Sequence, residues 1–317
     1  MSKGRKQFIS KYGTALGGLG VFIFFALAAD NFLTGPNLLT VLKQISYLTI
    51  LAVGFSFALT TSELDLSFAN ICSLATVITG GLIHYQYPVW LAILCGLLTG
   101  GTAGFINGLV VTRLKVPSLI ATLGMASIAN GAAFWITEGV AYVGRWPESF
   151  VFLGRGKILG IPMLALWMFL ISAIALFVMK QTRLGIHMVF TGEADEAARL
   201  GGIAVKGMKV LGLTLSGILA GVTAVLLASS LSSAAPTSAG DFMLTTMAAV
   251  LLGMTMIEPG RPNILGSFIG ALTIGILSNG LVLLGAPYYA QDIVLGVIII
   301  ASVSLSASTI TKAAFNV

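Results

Sequence analysis

Long apolar runs alternate with short polar stretches along nearly all of the 317 residues. A membrane-crossing helix needs about 20 apolar residues to span about 30 Å of hydrocarbon. These runs are long and apolar on all sides, which excludes the short alternating strands of an outer-membrane barrel. We therefore predict an all-α polytopic membrane protein of ten transmembrane helices, over residues 13–33, 41–61, 67–85, 88–112, 116–137, 161–179, 208–230, 241–257, 262–284 and 288–308.

Composition and charge agree with this class. The chain is 57% hydrophobic and 9% charged, more apolar than a soluble protein of this length can bury. The net charge of +6 is compatible with a nucleic-acid partner, but most basic residues lie in alternate connections between the runs, which is the positive-inside pattern. The exceptions are Lys43 near the outer start of the second predicted helix, and Arg145, Arg155 and Lys157 in the predicted outer segment 138–160. Both termini are therefore predicted to be cytoplasmic, and the first run is interpreted as a retained helix rather than a signal peptide.

One acidic stretch, "TTSELDLSF" (60–68), interrupts the apolar pattern. A carboxylate at membrane depth is costly, so Glu63 and Asp65 are expected to serve a function or to face water. In one interpretation Ser62 caps the next helix and Asp65 lies near its positive N-terminal end. In the other, the two acids form a gate or a proton site.

Two glycine-rich stretches resemble each other, "GLLTGGTAGFINGLVV" (96–111) and "GSFIGALTIGILSNGLVLLG" (266–285). Small residues at helical spacing allow neighbouring helices to approach closely. The stretches lie in the fourth and ninth predicted helices, which would run in opposite directions, as in an inverted-topology repeat. Asn107, Ser278 and Asn279 are candidate pathway residues, with interhelical hydrogen bonding as the alternative role for the asparagines.

The most charged stretch, "TGEADEAARLGGIAVKGMKV" (191–210), lies on the predicted cytoplasmic side. Ala194, Ala197, Ala198 and Gly201 recur at i, i+3, i+4 and i+7, which predicts a narrow stripe of small residues on one short helix. Charged side chains flank the stripe. The pattern favours a surface for a cytoplasmic partner, with a solvated loop helix as the alternative.

Residues that would support metal or enzyme chemistry are sparse. Cys72 and Cys95 lie inside predicted helices and are interpreted as small core residues, while His84 and His187 have no partner at metal-ligand spacing. The sequence contains no G-x-x-x-x-G-K-[ST] motif for ATP phosphates. We expect no metal site, no bound cofactor and no enzymatic activity in this chain; a membrane-embedded enzyme would need a clustered catalytic set.

Several motifs resemble the permeases of ribose-type ABC importers, which serve simple sugars and related small polyols. The matching stretches include "NFLTGPNLLTVLKQ" (31–44), "TTSELDLSFA" (60–69), "VPSLIATLGM" (116–125), "TRLGIHMVFTGEADEAARLGGIAVKGMKVLGLTLSGILAG" (182–221) and "SNGLVLLG" (278–285). Their order and spacing also fit, so the resemblance extends over most of the chain.

The resemblance implies a single transmembrane permease domain over 1–317, with a cytoplasmic coupling segment at 181–207. In such permeases this segment docks into a groove of the ATPase, which places that role on twelve residues: Gly192, Glu193, Ala194, Asp195, Glu196, Ala197, Ala198, Arg199, Leu200, Gly201, Gly202 and Ile203.

The resemblance also implies the partners and the mechanism. A periplasmic binding protein delivers the sugar to two permease subunits, identical or paralogous, in the bacterial inner membrane. ATP and Mg²⁺ are held by the partner ATPase, and its closure drives alternating access.

The chain departs from the family pattern in three places. Ala194 stands where Asn is common, Glu63 precedes Leu64-Asp65-Leu66-Ser67 where a Gly-x-Asp-Leu-Ser element is usual, and residues 253–266 read "GMTMIEPGRPNILG". These changes leave the sugar open and allow pairing with a non-identical permease. The alternative function is an ion- or proton-coupled secondary transporter that uses Glu63 and Asp65.

Overall fold

The computed structural model describes the backbone of residues 3–315 and the side chains of residues 16–287 and 289–302. Most of this part of the chain is helical. The helices are α1 (Lys3–Ala28), α2 (Gly35–Thr60), α3 (Phe68–His84), α4 (Val89–Arg113), α5 (Ser118–Thr137), α6 (Glu148–Arg155), α7 (Met163–Gln181), α8 (Arg183–Glu193), α9 (Asp195–Leu200), α10 (Val205–Leu231), α11 (Phe242–Gly253), α12 (Ile264–Leu283) and α13 (Tyr288–Phe315).

Each predicted apolar run coincides with one of these helices, so the all-α prediction is confirmed. Within the described residues, six helices are long and apolar enough to cross a membrane: α2, α4, α5, α7, α10 and α12. The apolar parts of α1, α3, α11 and α13 are shorter. The twelve residues of α11 extend only about 18 Å at 1.5 Å per residue, less than the hydrocarbon thickness. The count of ten spans therefore stays a prediction.

Four short strands form two antiparallel pairs outside the long helices. Strand β1 (Tyr142–Val143) pairs antiparallel with β4 (Ser233–Ala234), and β2 (Lys157–Ile158) pairs with β3 (Ile161–Pro162). The first pair connects the α5–α6 segment to the loop that follows α10. These strands are only two residues long, so they hold the loops in place and do not form a larger sheet.

Helix α10 packs against α4, α2 and α3 near the centre of the bundle. Contact with α4 is backbone to backbone, because a Cβ atom on Gly100 would overlap the carbonyl oxygen of Gly217, and one on Gly104 would overlap that of Leu213. Helix α12 meets α11 in the same way, through Gly270 against Ala249. The predicted close approach at both glycine-rich stretches is therefore confirmed.

Helices α4, α5 and α7 expose large apolar side chains on their outer faces, including Leu98, Trp135 and Phe177. By contrast, every residue of α2 from Ile45 to Thr60 is buried. An exposed apolar face is stable where the surroundings are hydrocarbon rather than water. The bundle thus has a protein-lined centre and an apolar exterior.

Candidate coupling site

The seven residues between α2 and α3, Thr61–Ser67, form a loop that is buried throughout; we call it the acidic loop. A buried loop must satisfy its backbone polar groups with protein partners. Helix α5 supplies two of them, because the Leu64 amide donates to Ser118 Oγ and the Leu66 amide donates to Thr122 Oγ1, each at 3.1 Å. The loop is therefore held against α5.

The start of α3 depends on the second acid of this loop. Ser67 is the N-cap residue of α3, and its backbone amide donates to Asp65 Oδ1 at 2.8 Å. Asn107 of α4 donates to Ser67 Oγ, also at 2.8 Å. The prediction that Ser62 caps α3 is wrong, because the N-cap residue is Ser67 and α3 begins at Phe68. Asp65 instead fixes the residue at which α3 begins.

Glu63 is paired with a lysine on a distant helix. Its side chain is 0% exposed, and Oε1 lies 2.8 Å from Nζ of Lys209 in α10, whose side chain is 13% exposed. Burial raises the pKa of the Glu63 carboxyl above its ordinary value, and the charge of Lys209 opposes that rise. Removing one partner of such a pair leaves a buried charge without compensation, which is strongly destabilising.

The predicted coupling segment folds as two helices rather than one. Helix α8 ends at Glu193 and α9 begins at Asp195, with Ala194 between them in a non-helical conformation (φ −152°, ψ 76°). Thr182 caps α8 by accepting a bond from the Gly185 amide. Because of the break at Ala194, α9 has only six residues and does not continue the axis of α8. The side chains of α9 therefore face other directions than they would on one continuous helix.

The stripe of small residues is therefore not one exposed face, which corrects the sequence interpretation. Ala198 is only 5% exposed and faces its own chain, whereas Ala194, Ala197 and Gly201 are exposed. Periodicity places residues on one side of a helix but does not say whether that side points outward. Of the other eight predicted residues, Gly192 is buried and Ile203 half-buried, while six are exposed: Glu193, Asp195, Glu196, Arg199, Leu200 and Gly202.

Charged side chains on the exposed part of α9 pair with one another. Arg199 forms an i, i+3 ion pair with Glu196, and its hydrogen bond lowers the pKa of the Glu196 carboxyl. Leu200 beside them is 79% exposed. The exposed surface of α9 thus combines a paired charge rim with small and apolar side chains.

The structure brings the two polar breaks of the sequence into direct contact. Ser62 Oγ donates to the carbonyl oxygen of Gly192 at 2.7 Å. A Cβ atom on Gly192 would overlap the carbonyl oxygen of Thr60, so only glycine permits this approach. The coupling segment and the acidic loop therefore form one site.

A third element completes this site, the loop between α11 and α12. Arg261 from this loop forms a 2.9 Å ion pair with Glu193 at the end of α8. A cavity of about 380 Å³ separates the elements and is lined by residues that include Thr60, Gly192, Glu258 and Pro262. Sequence reasoning missed both Lys209 and Arg261 as partners, and the only available signal was that buried acids require nearby bases.

The candidate pathway residues have different surroundings. Asn107 bonds to Ser67, and Asn279 exchanges two 3.0 Å hydrogen bonds with Asn37 of α2, which matches the interhelical alternative. Ser278 borders a cavity of about 160 Å³, together with the polar side chains of Gln44, Asp241, Thr245 and Gln291.

In the part of the chain that the structure describes, no three His, Cys, Asp or Glu side chains lie close enough together to hold a metal ion. Cys72 is fully buried in the largest apolar cluster, and Cys95 is half-buried in α4. The interpretation of Cys72 as a core residue is confirmed.

Residues 37–303 match the family described as "branched-chain amino acid transport system / permease component". This chain belongs to that permease family. The permease is 35% identical over 298 residues to the ribose import permease protein RbsC of Bacillus subtilis (strain 168), which covers 94% of this chain and 92% of the relative. It is 34% identical over 278 residues to RbsC of Escherichia coli (strain K12), with 87% of each chain covered.

A third relative is named for a different pentose. The L-arabinose transport system permease protein AraH of Escherichia coli (strain K12) is 32% identical over 295 residues, covering 92% of this chain and 89% of the relative. The resemblance to ABC importer permeases is thus confirmed. Such a permease is a multi-pass membrane protein and not itself an enzyme, since a separate subunit carries the ATPase activity, and a binding protein is a general partner.

Proposed function

We propose that this permease imports a simple sugar or related small polyol, with pentoses as the first candidates. The observation that carries the proposal is the 35% identity to a ribose import permease over more than nine-tenths of both chains. The relatives differ in the pentose they are named for, so their names do not choose between ribose and arabinose. Because a binding protein would select the solute before delivery, the pathway through the permease needs no high-affinity binding site.

We infer that residues 192–203 dock on the partner ATPase, as the family resemblance expects. The exposed part of α9 suits a protein partner because it offers Ala197 and Leu200 beside the Glu196–Arg199 pair. Contact of Gly192 with the acidic loop provides a route from the docking surface into the bundle. Closure of two ATPase subunits, each holding ATP and Mg²⁺, then drives alternating access across a pair of permease subunits.

The proposed topology has ten spans, an inverted repeat, cytoplasmic termini and a place in the bacterial inner membrane. Helix pairings support the repeat. In the proposed repeat, α2, α3, α4 and α5 correspond in order to α10, α11, α12 and α13. The contact between α4 and α10 then corresponds to the contact between α12 and α2, and both are present. Likewise, the α3–α4 contact corresponds to the α11–α12 contact, and the α3–α5 contact corresponds to the α11–α13 contact. All four of these helix pairs are in contact.

The polar cavity beside Ser278 is the best candidate for part of the solute pathway. Its lining joins α2, α11, α12 and α13, and it presents amide, hydroxyl and carboxylate groups that suit a polyol. Asn107 and Asn279 do not line this cavity and are proposed to have structural roles, because their side chains form hydrogen bonds to Ser67 and to Asn37.

Reconstitution tests the proposal. The permease, its co-purified ATPase and its binding protein are placed in proteoliposomes with radiolabelled ribose or arabinose. We expect uptake that requires ATP on the cytoplasmic side and loaded binding protein on the other. Mass spectrometry of the solute carried by the binding protein identifies the sugar. Gradient-driven uptake by the permease alone would instead support the secondary transporter.

A further inference from the structure

The acidic loop is attached to both ends of the segment that runs from Gly192 to Lys209. At one end, Ser62 bonds to the carbonyl oxygen of Gly192, which also lies against Thr60 at the end of α2. At the other, Glu63 forms its buried ion pair with Lys209, the fifth residue of α10. Helix α9 and its short connection to α10 lie between these two attachments. Any displacement of α9 must therefore stretch, carry along or break them.

We propose that the Glu63–Lys209 ion pair is a positioning link that carries the movement of the coupling segment into the acidic loop. The inference rests on the proposed function, since it assumes that α9 moves with an ATPase. It adds a specific pair of side chains to the docking role, and neither of them lies on the docking surface.

The pair is suited to transmit movement because breaking it is costly. Glu63 is fully buried and Lys209 is largely so, and separating them would leave two charges with little water to compensate them. A buried pair therefore tends to move as a unit, unlike the exposed Glu196–Arg199 pair, which water can replace. When the start of α10 shifts, the Glu63 side chain is expected to follow.

From Glu63 the movement reaches α3, α4 and α5, of which α3 and α4 also pack directly on α10. The amides of Leu64 and Leu66 are bonded to α5, and Ser67 is bonded to Asn107 of α4. The loop also begins α3, which packs on both α4 and α5. Displacement of one carboxylate is thus passed to three helices of the bundle.

The test separates coupling from folding. The complex of permease, ATPase and binding protein is reconstituted with Glu63→Gln, Lys209→Met or the charge exchange Glu63→Lys/Lys209→Glu. We measure pentose taken up per ATP hydrolysed and the amount of assembled complex. Each single variant should yield less assembled complex, because one buried charge is left unpaired. The complex that does assemble should lose roughly fivefold or more of its uptake per ATP, at the lower end of typical coupling effects.

The charge exchange should recover at least half of the wild-type ratio, because an ion pair is restored between the same two positions. Glu148→Gln provides the matched control, since it neutralises an exposed acid at the start of α6, far along the chain from this site. That variant should keep the wild-type uptake per ATP.

Three results would overturn the link. One is a wild-type ratio in both single variants. Another is single variants that fail to fold or lose uptake only in proportion to assembled complex, since the pair would then be structural. The third is a charge exchange that assembles but recovers nothing. Wild-type complex that shows no ATP-dependent uptake would instead reject the proposed function, so the two failures are distinguishable.

Discussion

Two adjacent alanines of α9 provide a test of the docking surface. Ala197 is exposed, whereas Ala198 is 5% exposed and faces its own chain. Ala197→Arg should leave the permease folded, because an exposed substitution usually changes stability by less than about 0.5 kcal/mol. It should nevertheless place a bulky charge where the ATPase docks. Disruption at the centre of an interface costs about 2 kcal/mol or more, which is about thirtyfold in affinity.

Ala198→Arg should have the opposite effect, with a loss of permease stability as its first consequence. Its side chain has no space outside the fold, so α9 must shift or the guanidinium must be buried without a partner. Overpacking alone costs about 1–3 kcal/mol, and a buried unpaired charge adds to it. The permease itself should therefore lose thermal stability before any effect on the ATPase is measured.

Both variants are purified in detergent, compared by thermal unfolding, and titrated with the ATPase. Ala197→Ser is the control, since it keeps a small side chain and should match the wild type in both measurements. Normal ATPase affinity and normal uptake by Ala197→Arg would refute the docking assignment. Wild-type thermal stability of Ala198→Arg would refute the inward orientation of that residue.

Three further outcomes are expected. In a background lacking both cysteines, Glu196→Cys should react with a membrane-impermeant thiol reagent only in inside-out vesicles and Thr237→Cys only in right-side-out vesicles; the reverse would contradict the topology. Asp65→Asn should lower the amount of folded permease, since a weakened helix start costs about 0.5–2 kcal/mol, while uptake per folded molecule is retained; full expression without uptake would indicate a gate or proton site. Gly104→Leu should separate α4 from α10 and reduce the folded yield, which a wild-type melting temperature would contradict.

The helices could be predicted from the sequence because membrane burial leaves a strong one-dimensional signal. Each apolar run became a helix, and the glycines at 100 and 104 form the predicted close contact. The lengths of the short helices were less accessible. Helix α11 ends at Gly253 although the apolar run continues to 257, because the chain then turns into the loop that carries Arg261.

The candidate site was only half visible in the sequence. Both polar breaks were recognised, but their contact through Ser62 and Gly192 joins residues 130 positions apart, which no local pattern encodes. The same holds for the partner of Glu63. The orientation of Ala198 depends on the break at Ala194, where the backbone leaves the helical region between α8 and α9.

The pairing of Glu63 with Lys209 has a consequence for biosynthesis. The two residues are 146 positions apart, so at 5–20 residues per second the ribosome needs roughly 7–30 s to reach the lysine after making the acid. During that interval the helices from α3 to α9 are made, but the acidic loop cannot bury its carboxylate with the native counter-charge. Until Lys209 is made, the Glu63 carboxyl must be protonated, hydrated or shielded by the insertion machinery. A nascent chain arrested before residue 209 should therefore be an early target of membrane proteases.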